Sequence, residues 1–321
     1  MIAADKKKKI DKRPVALLLP LTGARATLGL SMSRAAALAE SDGTLMQLID
    51  TGGTAEGARA AALAAMKRKC AMILGPLTAA ETLAIGTLPV PVIAFTNDSA
   101  AAANGAYVFG VTPRQSTSAV LRYARSRGVK QVVALGDGTP WSVAACAAAT
   151  ALQAEFGIDV RVITVTPGQP LPPVGDPPDA VLATGGGDGV LAAARGLKDS
   201  GVQLLATLQA LDHRPSGLAA LDGAWLAAPD PKAFRDFSAS FEAKVGGVAG
   251  ILAALAYDAA GIAKSLRADR NLDRASLLAV PSFPCVTGAV SFRTDGSCAR
   301  DLAILVAGPG GYESVATSRG A

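Results

Sequence analysis

From Pro14 to Thr112, short apolar runs alternate with Ala-rich helical stretches, and this alternation limits the possible folds more than any other feature. Residues 15–19 (VALLL) form a continuous apolar run stopped at Pro20, the pattern of a strand buried on both faces. Helix formers follow over about 28–40, then strand-like residues at 44–50 and a break at Thr51-Gly52-Gly53-Thr54. A second helix ends on Lys67, Arg68 and Lys69, cations that suit a helix C-terminus. Runs at 71–74, 90–95 and 107–111, with a helix from about Ala79, continue the scheme. Strand, helix, strand with short turns means βαβ units and a parallel sheet.

The pattern then restarts. Helices are expected over about 115–127, 141–156 and 190–200, and strands at 131–135, 160–165, 179–184 and 203–207. The Pro/Gly-rich stretch 167–178 reads as a surface loop. The final third differs, with helices at about 232–245 and 250–268 and then a hairpin signal turning at Asp295-Gly296. The expected fold class is therefore α/β, with two Rossmann-like halves.

Composition removes several function classes. The chain has 321 residues, 50% hydrophobic and 18% charged, too apolar to stay disordered. One histidine, His213, rules out multi-histidine metal sites and reads as an exposed loop residue. No serine sits in a G-x-S-x-G elbow, so nucleophilic catalysis has little support. Residues 1–13 carry six of the 31 Lys+Arg and two of the 26 Asp+Glu, which leaves a nearly neutral body and no basic face for nucleic acid. That basic leader, with its run Lys6–Lys9, is expected to be disordered. It lacks the apolar run of about 7–15 residues that an export signal needs, so a signal or lipid anchor would lie outside this sequence.

Three loops carry candidate chemistry. Residues 74–81 (LGPLTAAE) place Thr78 and the N–H groups of Ala79 and Ala80 at a helix start just past a strand, a natural seat for a carboxylate. Thr78 also reads as an ordinary N-cap, and the two roles are compatible. Residues 95–99 (FTNDS) bring Thr96 and Asp98 to the end of the next strand, the edge where open α/β sheets bind ligands. The glycines at 185–187 lead into Asp188 between a strand and a helix, either as a tight βα turn or as a phosphate loop without a complete motif. Trp141 follows a strand-to-helix loop, where its ring either faces a cleft or packs on its own lobe, whereas Trp225 reads as core. A turn at Asp295-Gly296 sets position 285 opposite about 306, so a Cys285–Cys298 bridge requires diverging strands.

The order of these pieces resembles the type I periplasmic binding proteins, the leucine/isoleucine/valine-binding class. The resemblance rests on VALLLPLTG (15–23), DTGGTAEG (50–57), ILGPLTAAET (73–82), VPVIAFTND (90–98), GDGTPW (136–141), LDGAWLAAPDP (221–231) and AALAYDAAG (253–261). LLPLTG, ILGPL and GAWLAAPDP look most like the lipoprotein branch of penicillin-binding-protein activators. The family implies two lobes with parallel central sheets joined by a three-crossover hinge, here about 14–113 with 233–300 and 114–232 with 301–321. It implies a small-molecule ligand in the interlobe cleft, no cofactor, no catalysis and a periplasmic location, with a membrane reached only through a lipid anchor. Its ligand contacts fall on Thr78, Ala79, Ala80, Thr96 and Asp98 in one lobe, and on Trp141, Asp188 and the strand end 207–208 in the other. The chain departs from amino-acid binders where Leu208 stands near the acid that meets the ligand ammonium, and Asp98 or Asp188 is the expected substitute. Two partners are implied: a permease of an ATP-driven (ABC) importer, or a peptidoglycan synthase.

Overall fold

The computed structural model describes residues 10–40, 42–166, 169, 176–269 and 271–321. The run Lys6–Lys9 and most of the 167–178 loop lie outside the described residues. In chain order, the first elements are β1 (Val15–Leu19), α1 (Ala26–Ala39), β2 (Met46–Asp50), α2 (Ala55–Lys67), β3 (Met72–Leu74), α3 (Ala79–Ala84), β4 (Val92–Ala94) and β5 (Tyr107–Val108). Next come α4 (Pro113–Ser126), β6 (Gln131–Gly136), α5 (Pro140–Ala151), α6 (Gln153–Phe156), β7 (Asp159–Thr164), β8 (Ala180–Ala183), α7 (Gly187–Leu197), β9 (Gln203–Ala206), α8 (Pro215–Ala220) and β10 (Trp225–Ala228). The last third holds α9 (Pro231–Val245), α10 (Ile251–Asp269), α11 (Arg274–Ala279), β11 (Val290–Phe292), β12 (Cys298–Arg300), β13 (Leu302–Gly308) and β14 (Gly311–Ser318).

The chain divides into two compact units, one ending at Gly110 and resumed at Ala233–Ala299, the other Val111–Lys232 with Arg300–Ala321. In the first, β2-β1-β3-β4-β5 form a wholly parallel sheet. Side chains of β1 alternate between its two faces: Val15, Leu17 and Leu19 pack with residues of α1 and α10, Ala16 and Leu18 with α2. All five are buried, which is why the run carries no polar residue.

The second unit carries a seven-stranded sheet, β14-β13-β10-β9-β8-β6-β7. Strands β7, β6, β8, β9 and β10 are parallel, and β13 and β14 add antiparallel at one edge. Ala134, Leu182, Ala227 and Ile304 meet α4 and α5 on one face, while Leu135, Ala183, Leu226 and Leu305 point to the opposite one.

Two sequence expectations change here. The Asp295-Gly296 turn closes only β11 on β12, and the run after it leaves to become β13, where Val306 pairs with Trp225. Position 285 therefore has no strand pairing with 306, and nearby Phe283 bridges Val290. Cys298 is buried in the first unit's core and Cys285 packs against the same cluster. Trp225 is only half-buried, its ring edge-on to Tyr123.

The leader also differs at its end. Asp11 accepts from the Leu272 N–H (3.2 Å) and its own N–H donates to the Arg267 carbonyl (3.3 Å), tying residue 11 to α10. The Arg13 guanidinium bonded to it, helped by the N–H groups of Arg13 and Leu272, outweighs burial and holds its carboxyl at about 2. A depressed folded-state pKa gives stability that is complete above the unfolded value near 4 and disappears as pH falls towards 2. Discounted for the exposure of Arg13, that contribution is about 1 kcal/mol. Asp11→Asn should cost this at pH 6 and little of it at pH 2, as read by urea unfolding at both values.

Candidate functional site

Strand order locates the ligand edge of each sheet. In the first unit the chain moves from β1 outward to β2, then returns to β3 on the other side of β1. Such a reversal leaves a crevice at the carboxyl ends of β1 and β3. In the second unit the reversal falls between β6 and β8. The loop after β3 carries Thr78, and the loops after β6 and β8 carry Trp141 and Asp188. Thr96 and Asp98 follow β4, the neighbour of β3. The sequence-predicted residues therefore gather at the switch-point edges of the two sheets.

Side chains at the first edge turn largely inward. Thr78 and Glu81 form a reciprocal capping box at the start of α3. The Glu81 carboxylate, almost fully buried, accepts from Thr78 Oγ1 (2.8 Å), Thr78 N (3.0 Å) and Thr51 Oγ1 (2.7 Å). The Thr78 hydroxyl proton is thereby spent on Glu81, and its oxygen, which accepts from Glu81 N (3.2 Å), has one lone pair left for a further donor. Ala79 and Ala80 supply the first two N–H groups of α3, which have no acceptor one turn back. Thr96 is buried, and its Oγ1 accepts from Asp98 N (3.1 Å). Asp98 is exposed and caps the short 3-10 turn Ser99–Asn104 through Ala100 N (2.9 Å).

Sequence reasoning missed Asp50 at this edge. Its oxygens accept from Thr22 Oγ1 (2.6 Å), Leu21 N (2.8 Å) and Gly52 N (2.8 Å). Burial pushes this carboxyl up, and those bonds outweigh it, so it titrates below the usual range. Asp50 thus fixes the β1–α1 loop against the β2–α2 loop.

At the second edge Trp141 occupies the first turn of α5, partly buried, and its Nε1–H donates to Thr207 Oγ1 (3.1 Å). Thr207 is fully buried and donates in turn to the Thr184 carbonyl (2.8 Å). The strand end expected to touch ligand therefore contributes a hydroxyl that positions the tryptophan. Beneath it, Ser142 Oγ and Thr184 Oγ1 lie 2.5 Å apart, and Thr184 donates to the Leu135 carbonyl (2.6 Å), so Ser142 is the donor between them. Ser142 Oγ also accepts from Asp137 N (3.0 Å). Burial raises the Asp137 carboxyl, but the bonds from Thr139 prevail and hold it below the usual range.

Asp188 is exposed in the first turn of α7. A cavity of about 20 Å3 lies under the glycine turn, lined by Asp137, Thr184, Gly185 and Gly186, with room for about one water. Side chains at Gly185 or Gly186 would strike Asp137 Oδ2 or the Gln209 carbonyl, so the glycines serve close packing. His213 is exposed, its ring edge-on to Tyr312. Among the described residues, no group of three His, Cys, Asp or Glu could hold a metal ion.

A family model described as periplasmic binding protein matches residues 13–311. The chain belongs to this family. Its fold is shared by solved structures of low sequence identity. One, named as a branched-chain amino acid ABC transporter from Rhodospirillum rubrum, is 20% identical with a TM-score of 0.81, over 94% of this chain and 100% of that one. A solute-binding protein from R. palustris in complex with benzoate is 17% identical with a TM-score of 0.62, over 97% of each chain. The C-domain of LpoA from Haemophilus influenzae, a regulator of PBP1A, is 16% identical with a TM-score of 0.74, over 94% and 100%. No protein of curated function matches the sequence. Among the described residues, no helix is long and apolar enough to cross a membrane.

Proposed function

We propose that this periplasmic binding protein is a non-catalytic, extracytoplasmic receptor that closes its two lobes on a small, amino-acid-like solute and presents it to an ABC permease or a sensor. The observation that carries the reading is the meeting of the candidate residues with the switch point of each sheet. Ala79 and Ala80 N–H would hold the solute's carboxylate, Thr78 Oγ1 would accept from a donor, and Asp98 or Asp188 would meet an ammonium. Trp141, braced by Thr207, would cover the apolar part.

A second reading makes the fold an envelope scaffold, lipid-anchored in its full-length form, that binds and activates a peptidoglycan synthase. It is favoured by the likeness to the LpoA C-domain and by the inward use of the Thr78 and Thr207 hydroxyls, which leaves few side-chain donors for a solute. A thermal-shift screen of amino acids, aromatic carboxylates and muropeptides separates the two, because a ligand of the folded state raises the melting point. The receptor reading expects at least one compound to raise it in a saturable way. No shift at millimolar concentration would favour the scaffold.

A further inference from the structure

The face of the second unit covered by α4 holds a groove of about 460 Å3, lined in part by Arg122, Tyr123, Arg127, Thr317, Ser318 and Arg319. It lies on the sheet face opposite the glycine-turn cavity, because its Ile304 points towards α4 whereas Leu135 and Ala183 of that cavity point the other way. Three arginines line this groove, and none takes part in any of the ion pairs among the described residues. Collecting like charge without acids is unfavourable.

Helix chemistry explains part of the cluster. Arg127 caps the C-terminus of α4, where a cation suits the helix dipole. Arg319 follows β14 and has no such reason to be there. Two of the three are also held in place. Arg122 lies over the Phe156 ring (5.5 Å) and donates from Nη1 to the Arg319 carbonyl and to Ser318 Oγ (3.4 Å). Arg127 lies over the Tyr123 ring (5.1 Å) and donates to its hydroxyl (3.0 Å). Guanidinium groups fixed by stacking lose less freedom on meeting an anion, and their planar donors match oxyanions in bidentate fashion.

We infer that this groove binds a small polyvalent oxyanion, a phosphate ester or a polycarboxylate, at a site separate from the solute edge. Its volume falls in the range of small-molecule pockets.

Trp225 supplies the readout, its ring 5.0 Å from that of Tyr123. Trp141→Phe leaves it as the sole tryptophan and removes the reporter at the solute edge. Inorganic pyrophosphate and citrate are titrated separately into this variant at low salt, followed by emission and calorimetry. The inference expects saturable binding of at least one, weakened by added NaCl and at least tenfold weaker in Arg127→Ala/Arg319→Ala. Pyrophosphate alone would assign phosphate chemistry, and citrate alone polycarboxylate. Both replaced residues are exposed, so circular dichroism should show the double variant folded. No saturable binding of either probe up to about 10 mM, or binding that the double variant leaves intact, would overturn the inference. Neither outcome depends on whether an amino acid binds the solute edge.

Discussion

Arg267→Met is expected to lower the unfolding free energy by about 3–5 kcal/mol. Arg267 on α10 donates to Glu40 Oε2 (2.9 Å) at the end of α1 and to the Leu45 carbonyl (3.2 Å). The two side chains are only 5% and 7% exposed. Removing the guanidinium leaves a carboxylate in the α1–α10 interface with the Asp42 N–H as its remaining bond among the described residues. An unpaired buried charge costs far more than the pair contributes, so Glu40→Leu added to Arg267→Met should recover much of the loss. Urea unfolding followed by circular dichroism measures both variants. A loss below about 1 kcal/mol for the single variant would mean that water reaches Glu40.

Gly75→Ala should cost at least about 3 kcal/mol and erode the solute edge as well. Gly75 joins β3 to the Thr78 loop with φ +101°, a conformation that alanine strongly resists. Its added Cβ would also sit 2.3 Å from the Leu18 carbonyl of β1, a backbone atom held within the sheet. The two costs add because neither is relieved by a rotamer change. Both tryptophans belong to the other unit, so circular dichroism should lose its transition more than tryptophan emission does. An unfolding midpoint like that of the wild type would show that the loop relaxes without strain.

The elements that sequence made legible are those whose signal is local. Residues 15–19 announced a buried strand because all five side chains are apolar, and the helix expected over about 115–127 is α4, Pro113–Ser126. Loops that turn at the strand ends likewise placed Thr78, Asp98 and Trp141 on an edge. What the sequence did not reveal depends on distant partners. Ser142 meets Thr184 across 42 positions, Thr51 meets Glu81 across 30, and Glu40 meets Arg267 across 227. Isolated Ser, Thr and Glu carry no local sign of such pairing, so the bond that commits the Thr207 hydroxyl to the Thr184 carbonyl, 23 positions away, was not legible. The local pattern alone misled about β13 for the same reason, although the family resemblance had set 301–321 in the second lobe. An apolar run just after a hairpin turn looks like its returning arm, and only pairing with residues 225–228 draws it into the other sheet.

The proposed receptor would hold one small solute by contacts from both units, through Thr78 in the first and Trp141 in the second. Titration calorimetry of the compound selected by thermal shift, against wild type, Thr78→Ala and Trp141→Ala, tests it most directly. Each replacement is expected to weaken binding by about 1–3 kcal/mol, roughly 5- to 150-fold, with both variants folded. A compound whose affinity is unchanged in either variant would contradict it.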